Sequence, residues 1–194
     1  MNEKSGGIFH HLGLRKLLVK LRVPIGIVAI ILLSHFAHSD WLLQGFLISM
    51  FGLFIQIWCF ASLDKNATLT ARGPYTMVRN PMYLGRFFIM FGFLVLLKNW
   101  WLLAAFTVLY WLYMSARVHR EEQRLIAIFT DSYAHYCKTV RRFIPQWPAT
   151  GEAVLYWDWK LCKQNHAALN FVATVLTWAF VAAMIIWGIP YLRG

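Results

Sequence analysis

The chain has 194 residues, of which 59% are hydrophobic, 17% aromatic and only 14% charged, and its formal net charge is +11. Soluble domains run at about 45–50% apolar and about 25% charged, so this composition excludes an ordinary soluble domain and points to a bilayer as solvent. Cys59, Cys137 and Cys162 are odd in number and scattered, with no C-x-x-C pair, which argues against a disulfide framework and against a metal site.

In chain order, the N-terminus does not read as a cleavable signal, because its first apolar run starts late and no A-x-A-like site follows. Within residues 14–22, Leu14, Leu17, Leu18 and Leu21 fall on one helical face, with Arg15, Lys16, Lys20 and Arg22 around the rest. That pattern predicts a basic amphipathic helix lying on an anionic leaflet. A spanning helix needs about 20 mostly apolar residues. Five runs are candidates: residues 23–38, 41–63, 82–97, 100–116 and 167–191. His38-Ser39-Asp40 joins the first pair and Lys98-Asn99 the second, giving two tight helical hairpins. The first run is the shortest and could also be re-entrant. Residues 156–160, Tyr-Trp-Asp-Trp-Lys, read as interfacial before the last span, since Trp and Tyr gather at membrane boundaries.

Basic residues set the orientation. With the N-terminus inside, the inward stretches hold 17 of the 19 Lys and Arg, leaving only Lys98 and Arg193 outside. The prediction is an all-α polytopic protein of about five spans, N-terminus in and C-terminus out. This topology accounts for the basic charge without a nucleic-acid partner.

Two polar stretches carry the candidate chemistry. The first is residues 72–86. Gly73-Pro74 signals a turn, Pro81 suits a first helical turn, and Asn80 before it is a good N-cap. Arg86 then lies one turn inside an apolar run. Ionisable residues within spans are rare and usually functional, although an arginine so placed can also snorkel to the interface. The second stretch is residues 117–145. As a helix it puts Val118, Leu125, Ile126 and Phe129 on one stripe with Glu122 in the middle. A carboxylate there needs a cationic partner, either Arg79 or Arg86 in an ion pair, or a bound cation.

Together these stretches resemble the isoprenylcysteine carboxyl methyltransferase and phospholipid methyltransferase superfamily of integral membrane methyltransferases. Gly73-Pro74-Tyr75 followed by Arg79-Asn80-Pro81-Met82-Tyr83-Leu84-Gly85 is similar to its G-x-Y-x-x-x-R-[HN]-P-x-Y-x-G signature. Arg120-Glu121-Glu122, Leu125, Phe129, Tyr133, Tyr136, Val140, Arg142 and Pro145 are similar to its second block. Asn80 stands where the isoprenylcysteine enzymes carry His and matches phospholipid N-methyltransferases and bacterial members instead. Thr130 stands where the block has Gly, and the last apolar run lies beyond the family core.

The resemblance implies S-adenosyl-L-methionine as methyl donor, a lipid or lipid-like acceptor (phospholipid amine or prenyl-type carboxylate), and a bacterial inner-membrane location with the site on the cytoplasmic side. The implied cofactor-binding residues are Tyr75, Arg79, Asn80, Pro81, Tyr83, Leu84, Glu121 and Glu122. The implied catalytic residues are Glu122, Arg86 and Arg120. The corresponding division is an interfacial N-terminus (1–22), spans one and two (23–66), a methyltransferase core (67–145), and an interfacial segment with the fifth span (146–194). Two alternatives stay open: an NADPH-dependent membrane reductase of related architecture, and a non-catalytic membrane scaffold. The acceptor and the oligomeric state are not legible.

Overall fold

A computed structural model describes residues 12–64, 68–148 and 153–188, and among these every regular element is helical. The order is α1 (Leu12–Phe36), α2 (Leu42–Ser62), α3 (Pro81–Val95), α4 (Trp100–Thr139), α5 (Trp159–Gln164) and α6 (Ala167–Ala183), the last followed by a π-helical turn, Met184–Gly188. Residues 1–11 and 189–194 lie outside the described residues, and so do the side chains of most of the predicted amphipathic stretch; its backbone is the first part of α1.

Three helices are long and apolar enough to cross a bilayer: Ser39–Ser62, Trp100–Thr139 and Ala167–Trp187. The first and third predicted runs appear as the shorter apolar helices Pro24–Phe36 and Pro81–Val95. The exterior of the helices is apolar, with Val28, Leu43, Phe54, Leu109 and Leu176 all more than half exposed, as a lipid-facing surface requires. The protein is an all-α polytopic membrane protein.

Helices α2 and α3 form the closest pair. Small residues on both sides let backbone approach backbone, which is how helices gain contact where lipid removes the hydrophobic drive. A Cβ added to Gly52 would lie 2.6 Å from the Gly85 carbonyl oxygen, and one on Gly92 would collide with that of Gly45. Ser49 fills the gap between and donates to the Ile89 carbonyl at 2.8 Å. These glycines are therefore packing residues.

Two expectations change. Residues 100–116 and the helix after them are not separate elements: α4 spans 40 residues with a kink at Thr130, and its stretch before the kink, residues 100–129, runs about 45 Å at about 1.5 Å per residue. That exceeds the hydrocarbon thickness of about 30 Å, so the charged part of α4 from Arg117 onward stands clear of the hydrocarbon core. No Gly or Pro interrupts it, and the polar face from Arg117 onward is helical in spacing. At Thr130 the backbone turns to φ 43° and ψ −117°, a conformation costly for a β-branched residue, at the position where the resemblance has Gly. Asn80, in turn, makes no side-chain cap to α3. Its amide is directed toward Glu122 Oε1 and the Arg142 carbonyl, each at 3.4 Å. Caps of the expected kind occur at Asn99, which accepts from Leu102 N, and at Asp158, which accepts from Lys160 N.

The chain beyond α4 closes the fold. Asn165, nearly fully buried, donates to the carbonyls of Phe60 and Leu63 at 2.9 and 2.7 Å, satisfying groups that the end of α2 leaves open. Gly73 N donates to Ala153 O at 2.7 Å, and Asp158 N to Ala61 O at 3.1 Å. The Arg72 guanidinium lies over the Tyr156 ring at 4.1 Å. The predicted interfacial segment 156–160 is thus tied to the end of α2, with Trp157 and Trp159 turned outward and exposed.

Candidate functional site

A cavity of about 760 Å³ opens where the end of α2, the loop after it, the start of α3 and the emergent half of α4 converge. Phe60, Leu63 and Met82 give it an apolar wall, continued by Leu125 and Phe129 of α4; Tyr75, Tyr133 and Tyr136 add aromatic surface. The polar wall is Asp64 and Glu121 with five arginines, Arg79, Arg86, Arg117, Arg120 and Arg124.

The two predicted blocks meet through side chains and backbone. Arg79 N donates to the Arg141 carbonyl at 2.8 Å and Gln146 N to that of Met77 at 2.9 Å. Gln146 also donates through its amide to Thr139 O at 2.7 Å and accepts from Arg141 N at 3.2 Å, so it clamps the turn after α4. Tyr136 donates to the Tyr75 carbonyl at 2.6 Å. Burial pushes the Tyr75 phenol well above its ordinary pKa, so it stays protonated and offers an aromatic face rather than a charge.

The two glutamates have different surroundings. Glu122 is almost fully buried and is absent from the cavity lining. Arg79 Nη1 pairs with its Oε1 at 3.3 Å and Arg142 Nη2 with its Oε2 at 2.5 Å. Between the two possibilities left open by the sequence, the structure shows the ion pair, with Arg79 rather than Arg86. Glu121 faces the cavity, and its Oε2 accepts from the Tyr83 hydroxyl at 2.6 Å. The same hydroxyl accepts from Arg117 Nε at 3.2 Å. Tyr83 is held from behind, where its carbonyl accepts from Tyr110 OH at 2.6 Å.

Of the residues named from the sequence, Tyr75, Arg79, Asn80, Tyr83, Arg86, Arg120 and Glu121 line this one cavity. Glu122, Pro81 and Leu84 do not: Glu122 and Pro81 are buried in its wall, and Leu84, half-buried, points elsewhere. Arg86 lies over the Tyr83 ring at 5.6 Å and reaches the cavity rather than the outer lipid boundary. Sequence reasoning gave no site role to Asp64, Arg117, Arg124 or Tyr133, nor to the clamp at Gln146. Arg117, Arg120 and Arg124 did carry a signal, since positions i, i+3 and i+7 share one helical face. Asp64 and Gln146 carried none, because only the tertiary fold brings them in.

The phospholipid methyltransferase family matches residues 40–132. The chain is thus similar to the integral membrane methyltransferase superfamily. It is 36% identical over 85 residues to the protein-S-isoprenylcysteine O-methyltransferase of Schizosaccharomyces pombe, covering 44% of this chain and 36% of that one. The enzyme of that name from Xenopus laevis is 37% identical over 82 residues, 42% of this chain and 28% of its own length. That from Saccharomyces cerevisiae is 34% identical over 82 residues, 42% and 34%. The chain thus spans about a third of the length of the curated relatives it matches. No solved structure matches it at a significant level.

Proposed function

We propose that the protein is an S-adenosylmethionine-dependent methyltransferase acting within the membrane on a lipid or lipid-like acceptor. The observation that carries this is the cavity in which both signature blocks meet, acid and guanidinium groups facing an apolar wall. Its volume falls in the range of about 300–1,000 Å³ for small-molecule sites.

The lining suits the donor. A zwitterion with an added sulfonium needs carboxylates near its cationic groups, a guanidinium for its carboxylate and flat apolar surface for its base. Glu121 supplies the first, Arg79 the second, and Tyr75 and Tyr83 the third. When bound, the donor supplies an electrophilic methyl group. The chain's own part is alignment. Glu122 locks Arg79 in place from behind, and Tyr83 fixes the Glu121 carboxylate. Asn80 joins the start of α3 to the turn after α4. Where the acceptor is an amine, Glu121 is the carboxylate placed to take its proton; where it is a carboxylate, Arg86 and Arg120 position it. The basic bias supports a topology with this end of α3 and α4 cytoplasmic and the C-terminus outside, and the expected location is a bacterial inner membrane.

The test is calorimetric titration of the detergent-solubilised chain with S-adenosylhomocysteine, with NADPH as control. Micromolar binding that Glu121→Ala weakens by about tenfold (about 1.4 kcal/mol) supports the proposal. Folded protein that binds NADPH and not S-adenosylhomocysteine overturns it in favour of a reductase, and protein that binds neither returns the scaffold.

A further inference from the structure

The last turn of α2 ends against chain from elsewhere in the molecule. The final four carbonyls of a helix have no partner within it, and here each finds one. Asn165 Nδ2 donates to Phe60 O at 2.9 Å and to Leu63 O at 2.7 Å. Asp158 N donates to Ala61 O at 3.1 Å, and Arg72 Nε to Ser62 O at 3.2 Å. Asn165 and Asp158 lie beyond the stretch 40–132 that matches the family. Asn165 is 7% exposed, and its own N–H donates to Leu161 O at 2.9 Å where it closes α5. A helix end at a membrane surface can give its carbonyls to water. A buried amide instead fixes them and keeps water out.

The side chains on that turn show what is being fixed. Phe60 and Leu63, whose carbonyls Asn165 holds, both line the cavity, while Ala61 and Ser62 between them are buried away from it. From behind, Phe60 and Ala61 pack in one cluster with the buried Cys162 and Ala167, and Met82 lies against the same cluster. Phe60 and Met82 thus meet the cavity on one side and the α5–α6 segment on the other. The groups assigned to the donor, Tyr75, Arg79, Tyr83 and Glu121, come from the loop, α3 and α4, and none from α2. The apolar wall is left for the acceptor's chain, and the last turn of α2 is its base. Release of that turn would move the wall without moving the donor groups, and a misplacement of about 1 Å is enough to cost an aligned reaction much of its rate.

We propose that Asn165 is a positioning residue for the acceptor: it holds the last turn of α2 so that Phe60 and Leu63 present one fixed wall to the acceptor's apolar chain, a role that rests on the donor and acceptor assignment under the proposed function.

The experiment measures binding to the full chain in detergent by thermophoresis. Dioctanoyl phosphatidylethanolamine, N-acetylated farnesylcysteine and S-adenosylhomocysteine are separate probes. At least one lipid is expected to bind the wild-type chain. Asn165→Ala should weaken that lipid about tenfold while S-adenosylhomocysteine affinity stays within about twofold. Asn165→Ser, which keeps a donor of shorter reach, should lose less, and it serves if the alanine variant does not fold. Asn99→Ala is the comparator. It removes the cap that accepts from Leu102 N at 3.0 Å, at the end of α4 remote from the cavity, so it costs stability and should leave every affinity within about twofold. Leu63→Ala should weaken the same lipid, and its double variant with Asn165→Ala should lose less than the two single losses combined, as coupled residues do. Equal loss of donor and lipid affinity, unchanged lipid affinity, an equal loss in Asn99→Ala, additive losses in the double variant, or no lipid binding by the wild type overturns the proposal. A wild-type chain that binds lipid and not S-adenosylhomocysteine removes the methyltransferase reading instead, and the hold of Asn165 on the lipid wall is then judged on the lipid probes against Asn99→Ala.

Discussion

Helix α3 has two neighbours, held in opposite ways. Against α2 it presents glycine and serine, and backbones touch. Against α4 it presents Phe87, which meets Phe106, Tyr110 and Trp111 at ring-centroid distances of 5.3–5.8 Å, so large side chains span a wider gap. The first contact cannot widen without losing its packing or narrow without collision. The second leaves room at its inner end, and there the cavity lies. A membrane helix pair that must be rigid uses small residues; one that must leave a ligand space uses large ones plus polar ties. Those ties are the Glu122 pairs with Arg79 and Arg142, and the Tyr110 bond to the Tyr83 carbonyl.

The comparison can be broken at either side. The largest effect is expected at Glu122→Ala, which leaves two guanidiniums facing a buried gap. Loss of one partner from a buried pair costs about 3 kcal/mol or more, and unfolding in detergent should show it together with weakened S-adenosylhomocysteine binding. Glu122→Gln, which keeps the shape and some bonds, should lose less. Next is Gly52→Ala. Its new methyl would meet the Gly85 carbonyl oxygen at 2.6 Å and Ile89 N at 2.7 Å, both backbone atoms that cannot move alone. Overpacking of this kind costs about 2 kcal/mol. The same titration should show a smaller loss of donor affinity than Glu122→Ala, since the clash meets backbone beside Arg86 but none of the groups assigned to the donor. An alanine protein as stable as wild type would mean that the α2–α3 contact is not the rigid member.

Two smaller effects sharpen the picture. Asn165→Ala removes both bonds to the end of α2 and should lower stability by about 1–2 kcal/mol, read as a lower thermal midpoint. Thr130→Gly is expected to act in the other direction. At φ 43° glycine carries no Cβ penalty, so about 1 kcal/mol of stability should be gained, with the cavity residues on either side keeping their places.

Much of this was legible before any fold was known. The apolar runs marked the helices because a bilayer core offers no partner for an open backbone, and the tight turns at His38-Ser39-Asp40 and Lys98-Asn99 appear where they were read. Glu122 was singled out correctly as a carboxylate on a buried stripe. Which cation met it was not legible, because Arg79 and Arg86 lie within two turns of each other in sequence and only the path of the loop chooses between them. The same path turned Asn80 away from the helix end that its sequence position favours. Of residues 117–145, read as a helix, 117–129 are one and the helix resumes after a kink at Thr130 to end at Thr139; their continuity with the span before them was not legible, because the change from apolar to charged surface marks a change of solvent and not a break in backbone bonding.

Sequence alone determined that this protein lives in a membrane, is built of helices, and carries two polar blocks resembling those of membrane methyltransferases. Each follows from local chemistry: hydropathy over a window, charge beside a span, and residue types at fixed spacing. Tertiary structure decided which glutamate faces the cavity, which arginines share it, and that Asp64 and Gln146 belong to the site and its clamp. Those outcomes depend on the rotation of one helix against another, a matter of how whole surfaces pack and not of any single residue's preference.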